Sequence, residues 1–163
     1  MYSNKVLCVY GEGGHHAQMN RLVDGVLREA QNKVDFLSLS DVKNKPKWSI
    51  KHFHAKEIRS KHLSGIAAVC FMIKNLISSF FLLISIFKNY KIKAVISTGP
   101  GIGVFTCLFF KALGSKVIYL ETWSRFDKKS MSGRVMHLIA DEFYYQNFEL
   151  ATIYPKGKFS GRL

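Results

Sequence analysis

With 163 residues, 48% of them apolar, the chain has the size of one domain and enough apolar surface for a single core. Twenty-four Lys and Arg stand against eleven Asp and Glu, a formal charge of +13, which points to a polyanionic partner: nucleic acid, an anionic membrane surface or phosphorylated substrates. Cys8, Cys70 and Cys107 form no C-x-x-C pair and suggest neither a zinc ribbon nor a disulfide framework; each lies in an apolar run and reads as a small buried hydrophobe. The first apolar run is about five residues long, too short for a signal peptide, so export is not expected.

Val6-Leu7-Cys8-Val9-Tyr10 reads as a first strand and Gly11-Glu12-Gly13-Gly14-His15 as a glycine-rich turn into a first helix. The N–H groups at the start of such a helix favour an anion. Met19, Leu22, Val23, Val26 and Leu27 then follow at offsets of three and four, the apolar stripe of a helix over His16 to Ala30. Val34 to Leu39 is a second strand, and strand, helix, strand is the βαβ signature of a parallel sheet. From Asp41 to His62 the composition turns basic, with Pro46 and Trp48 breaking any helix. His52-Phe53-His54 reads as a short surface strand, since two histidines make a metal site only with further ligands.

Ile66 to Phe87 holds Lys74 as its only charge and is about long enough to cross a bilayer as a helix. At 100° per residue, Lys74, Ser78, Ser85 and Lys88 share a narrow arc, with Asn75 and Asn89 at its border. Two readings carry equal weight. In one the helix lies in the interface of an anionic membrane, with Ile73, Lys74, Ile77, Phe80, Phe81, Ile84 and Lys88 in contact. In the other it is a buried core helix with its polar stripe toward solvent. A true span stands behind both.

Ala94 to Ser97 reads as a strand ending in a second glycine turn, Thr98-Gly99-Pro100-Gly101-Ile102-Gly103. A helix over Val104 to Leu113 follows, Gly114 caps it, and Val117 to Leu120 is the next strand. The third loop is Glu121-Thr122-Trp123-Ser124-Arg125-Phe126. Ser130 caps a helix reaching about Ala140, and Phe143 to Tyr145 is a last strand. In a parallel sheet the turns after Tyr10, Ser97 and Leu120 share one edge and converge on one crevice. The reading is therefore a single Rossmann-like α/β domain over residues 1–150, helices on both faces of a parallel sheet, with 151–163 as a basic tail available to a partner.

The dinucleotide pattern G-x-G-x-x-G fails at His16, and no phosphate-binding G-x-x-x-x-G-K-[ST] occurs. The ordered set Gly11-Glu12-Gly13-Gly14-His15, Ser97-Thr98-Gly99-Pro100-Gly101, Glu121-Thr122-Trp123-Ser124-Arg125, Ser132-Gly133, Ala140-Asp141 and Tyr154-Pro155 instead resembles the Alg14 family, with its bacterial PssD- and CpsF-type relatives in capsule and exopolysaccharide synthesis. It is also similar to the amino-terminal half of MurG, the GT-B transferase of peptidoglycan synthesis. His16 and Thr122 depart from the commoner family residues at their positions.

The resemblance implies the acceptor-binding half of a split GT-B glycosyltransferase. An Alg13-, PssE- or CpsG-like partner chain would hold the UDP-sugar, and the acceptor would be a polyprenyl-diphosphate-linked saccharide at the cytoplasmic face of a membrane. Eukaryotic members carry an amino-terminal membrane helix; residues 66–87 would do the anchoring here. On this view Gly11, Gly13, Gly14, Thr98, Gly99, Gly101, Ser124 and Arg125 meet the acceptor and its diphosphate, and His15 or Glu121 takes the acceptor proton. Glu121 could instead orient His15 or bind the acceptor sugar; in blander roles His15 caps its helix and Glu121 pairs with Arg125. No metal and no cofactor beyond the UDP-sugar is called for. Two rival classes remain: a non-catalytic membrane adaptor that recruits the donor-binding chain, and a nucleic-acid-binding module, for which no motif accompanies the charge.

Overall fold

The computed structural model describes residues 5–29, 34–58 and 64–163. Seven strands, β1 (Lys5–Tyr10), β2 (Asp35–Ser40), β3 (Lys51–His54), β4 (Ile92–Ser97), β5 (Lys116–Leu120), β6 (Glu142–Tyr145) and β7 (Lys158–Phe159), form one parallel sheet in the order β3-β2-β1-β4-β5-β6-β7. Helices α1 (Gly14–Glu29), α2 (Gly65–Asn89), α3 (Gly101–Ala112) and α4 (Met131–Ile139) connect them, with a short 3-10 turn at Phe148–Ala151. The order reverses between β1 and β4, so the turns that leave these two strands flank the switch point.

Alternation along the strands divides the core. Leu7, Val9, Leu37, Leu39, Val95, Val117 and Tyr119 face Leu83 and Ile86 of α2, Cys107 and Phe110 of α3 and Met136 of α4. Cys8, Tyr10, Phe36 and Ile96 face the other way, against Met19 and Val23 of α1. Because both faces are covered near the centre, these strands read as unbroken apolar runs. Beyond α1 the second face is open and polar, where Glu142 on β6 pairs with Lys116 on β5 and Lys158 on β7.

The expected helices and strands are all present, with shifted ends. α1 and α3 start within their glycine turns, earlier than the apolar periodicity marks, because the turns themselves wind into the helices. The expected end of the first helix at Ala30 and the stretch Arg59 to His62 lie outside the described residues. Ser130 caps α4 as expected, its Oγ accepting from Gly133 N–H at 2.8 Å.

Three expectations are corrected. Residues 151–163 are no detached tail: Tyr154 is fully buried, and Lys158–Phe159 pairs with Tyr144–Tyr145 as β7. Cys70 is exposed on α2, whereas Cys8 and Cys107 are buried and their thiols raised by burial, that of Cys107 to about 12. Lastly, α2 is not a core helix with a solvated polar stripe. It buries Asn75, Ser79, Leu83 and Ile86, while Ile66, Val69, Ile73, Ile77, Phe80, Phe81 and Phe87 stay exposed together with Lys74, Ser78, Ser85 and Lys88. Asn75, assigned from sequence to the stripe's border, points inward and donates to the Glu57 carbonyl at 2.8 Å.

Candidate active site

The turns after β1, β4 and β5 meet at the carboxyl edge of the sheet. Gly11 lies so close to Pro100 that a Cβ there would come 2.6 Å from the proline Cδ, so the first turn must pass the second with bare backbone. Thr98, buried, donates from Oγ1 to the His15 carbonyl at 3.1 Å. Gln18 on α1 donates from Nε2 to the Glu121 carbonyl at 3.0 Å, and Arg21 stacks on Trp123 at 5.0 Å. All three loops are thus tied together through α1.

His15 stands in the first turn of α1 with its ring against the Gly99 backbone. Its Nδ1 is buried without a hydrogen-bond partner. Burial holds its pKa below the usual histidine value, against the Thr98 backbone and the negative charges of Glu121 and Asp41. Burial therefore favours the neutral form of the ring. α3 begins at the same edge with Pro100 as its N-cap, which offers no side-chain acceptor to the first N–H groups. Two helix amino termini, α1 and α3, so face the crevice with donors to spare. Asp41, at the end of β2, has its carboxyl raised by burial, with Glu57 and Glu12 adding to the shift.

Glu121 is fully buried and its carboxylate is occupied. Oε1 accepts from Thr122 N–H at 2.9 Å; Oε2 accepts from Ser130 Oγ at 2.9 Å and from the Tyr154 hydroxyl. Among the described residues no ion pair joins Glu121 to Arg125, which lies exposed. Thr98 and Gly99 meet His15, Gly14 lies beside Trp123 and Gly11 against Pro100, while Gly101 opens α3 and Gly13 stands clear in its turn. Ser124 and Arg125 sit further out on a loop that Asn147 pins through the Trp123 and Arg125 carbonyls.

Sequence reasoning missed the polar frame of the site: Gln18, Ser130 as a Glu121 partner, Gln146, which donates to the Glu121 carbonyl at 3.1 Å, Asn147 and Tyr154. The adjacent polar pair Gln146-Asn147, just past the carboxyl end of β6, was the available signal. His16, which breaks the dinucleotide pattern, stacks on Tyr10 at 5.2 Å and leaves the crevice untouched. Among the described residues no three His, Cys, Asp or Glu side chains group as a cation site.

An open parallel sheet whose two glycine turns abut at its switch point, with three loops gathered there, is the architecture of one half of a GT-B fold. MurG of Acinetobacter baumannii superposes on 90% of this chain with a TM-score of 0.62 at 14% identity, and the chain spans 42% of that protein's length. The chain belongs to the Alg14-like family of oligosaccharide biosynthesis proteins, which it matches over residues 6–163. Two relatives, both named UDP-N-acetylglucosamine transferase subunit, illustrate the distance. That of Kluyveromyces lactis is 27% identical over 98% of this chain and 79% of its own length; that of Schizosaccharomyces pombe is 29% identical over 98% and 83%.

Proposed function

We propose that this chain is the acceptor-binding, membrane-associating subunit of a two-chain glycosyltransferase that moves a sugar, N-acetylglucosamine by the names of its relatives, from a UDP-sugar to a polyprenyl-diphosphate-linked acceptor in oligosaccharide or polysaccharide biosynthesis. The observation that carries this is the one-sided crevice, in which two open helix amino termini and a neutral histidine meet on a chain spanning less than half of a complete GT-B enzyme.

The acceptor diphosphate lies against the N–H groups of Gly14 and Gly101, with the exposed Arg125 of the third loop as a further cation for the anion. The acceptor hydroxyl attacks the anomeric carbon of the UDP-sugar, which the partner chain presents. The new C–O bond forms as the bond to the UDP oxygen breaks and UDP departs with the electron pair. The hydroxyl proton passes to the His15 imidazole, whose depressed pKa keeps it unprotonated. Glu121, with both oxygens engaged, works as a positioning residue that sets the Thr122–Arg125 loop and, through its carbonyl, Gln18 on α1. The exposed apolar side of α2 rests on the cytoplasmic leaflet and brings the crevice to the lipid-linked acceptor.

The test is to purify the chain with its native partner and follow transfer from UDP-N-acetylglucosamine to a polyprenyl-diphosphate acceptor. Transfer by the complex, none by this chain alone, and a kcat loss of about 10²–10⁴ on His15→Ala are expected. Undiminished transfer by the His15→Ala complex removes the histidine as base. Activity that survives loss of both His15 and Glu121 favours the non-catalytic adaptor.

A further inference from the structure

At the end of the molecule opposite the crevice, the last turn of α2, the start of β4 and the last turn of α3 enclose a cavity of about 390 Å³. Its walls are Phe87, Tyr90, Phe110 and Leu113, and its rim carries Lys88, Lys91 and Lys93. No acidic side chain lines it, and among the described residues these three lysines make no ion pair. We infer that this cavity is a headgroup site for an anionic phospholipid, with lysines on the phosphate and an acyl chain along Phe87 and Leu113.

The ordinary role of lysines at helix carboxyl ends is to satisfy the last carbonyls. That role is filled otherwise here. Asn89 Nδ2 donates to the Ser85 carbonyl at 2.8 Å and Tyr90 N–H to Ile86 at 2.9 Å, while Ser115 N–H closes α3 on Phe110 at 2.9 Å. The ammonium groups are left to a ligand. Three positive charges around one cavity outweigh the roughly half negative charge at each helix end, so an anion is favoured. The occupant must also be amphiphilic, because the cavity opens onto apolar surface: Phe87 and Leu113 are 49% and 45% exposed and continue the exposed side of α2.

The site deepens the membrane reading and rests on it. α2 spans about 37 Å at 1.5 Å per residue. Its amino-terminal half reaches the crevice end, where Phe71 lines a pocket with Glu12, Asp41 and His54. Its carboxyl end carries the lysine cavity. Lipid bound there lays α2 flat on the leaflet and fixes the height and azimuth of the crevice above it.

Cosedimentation with vesicles of phosphatidylcholine, alone or doped with phosphatidylglycerol, tests this. The Lys88→Gln/Lys91→Gln/Lys93→Gln protein is expected to lose at least about tenfold in affinity for the doped vesicles. Lys43→Gln/Lys45→Gln/Lys47→Gln, which removes the same charge from the exposed β2–β3 loop, is expected to lose much less. The Lys88→Arg/Lys91→Arg/Lys93→Arg protein should keep binding. Equal losses in the two glutamine variants, or wild-type binding by the first while Ile77→Ser/Phe81→Ser fails to bind, overturn the headgroup site and leave the membrane reading standing. Wild-type protein that sediments with neither vesicle overturns both.

Discussion

A methyl group added at Gly133 would lie 2.7 Å from Ser130 Oγ and closer still to Glu121 Oε2 and the Tyr154 hydroxyl. Gly133→Ala must therefore break the hydrogen bonds of Glu121, and unfolding free energy should fall by about 2–4 kcal/mol in urea titrations. Gly25, exposed on α1 with no neighbour around its Cβ position, provides the contrast: Gly25→Ala should stabilise by about 0.5–1 kcal/mol. Tyr154→Phe leaves Oε2 with Ser130 alone and should cost about 1–3 kcal/mol. A pH dependence follows from His15, His52 and His137, each held below its ordinary pKa chiefly by burial. Below about 6.5 the unfolded chain takes up protons that the folded state resists, so stability is complete above that value and declines as pH falls toward the folded pKa values. Asp41, raised, acts with the opposite sign nearer pH 4. Denaturation midpoints that stay level from pH 7.5 to 5.5 would contradict the histidine assignment.

At the scale of elements, α2 combines two contacts that respond differently to mutation. Leu83 is fully buried, and Leu83→Ala should cost about 2–4 kcal/mol. Phe81, 64% exposed, should change stability by no more than about 0.5 kcal/mol when replaced by Ser, while vesicle binding weakens. The existence and length of α2 were legible in its composition; its orientation was not. A helix apolar on most sides offers the sheet several equivalent faces, and shape decides among them. The face chosen is narrow and includes Asn75, whose amide finds the Glu57 carbonyl across a chain separation of eighteen residues. In α4 the local signal sufficed, because the Ser130 cap and the helix it starts are neighbours in sequence.

Over the whole molecule, charge is segregated by layer. α2, α3 and α4 contain no Asp or Glu and carry Lys74, Lys88, Lys111 and Arg134, whereas in α1 on the opposite face Asp24 and Glu29 balance Arg21 and Arg28. Attraction of that layer to an anionic surface must be screened by salt. Binding to phosphatidylglycerol vesicles should weaken steeply between about 0.05 and 0.5 M NaCl, over which the Debye length shrinks from roughly 14 to 4 Å. Salt-independent binding would mean that the apolar side of α2 alone carries the contact.

The order of strands and helices, the three glycine and acidic loops and their shared edge were determined by the sequence itself, since periodicity, caps and turn residues act over a few positions. Tertiary structure alone decided the rest: the side on which α2 docks, the enclosure of Glu121, the addition of β7, the lysine cavity. The Glu121 node draws Gln18 from 103 positions away and Tyr154 from 33. Such contacts depend on which surfaces fit once the sheet has formed, and no local pattern encodes that fit.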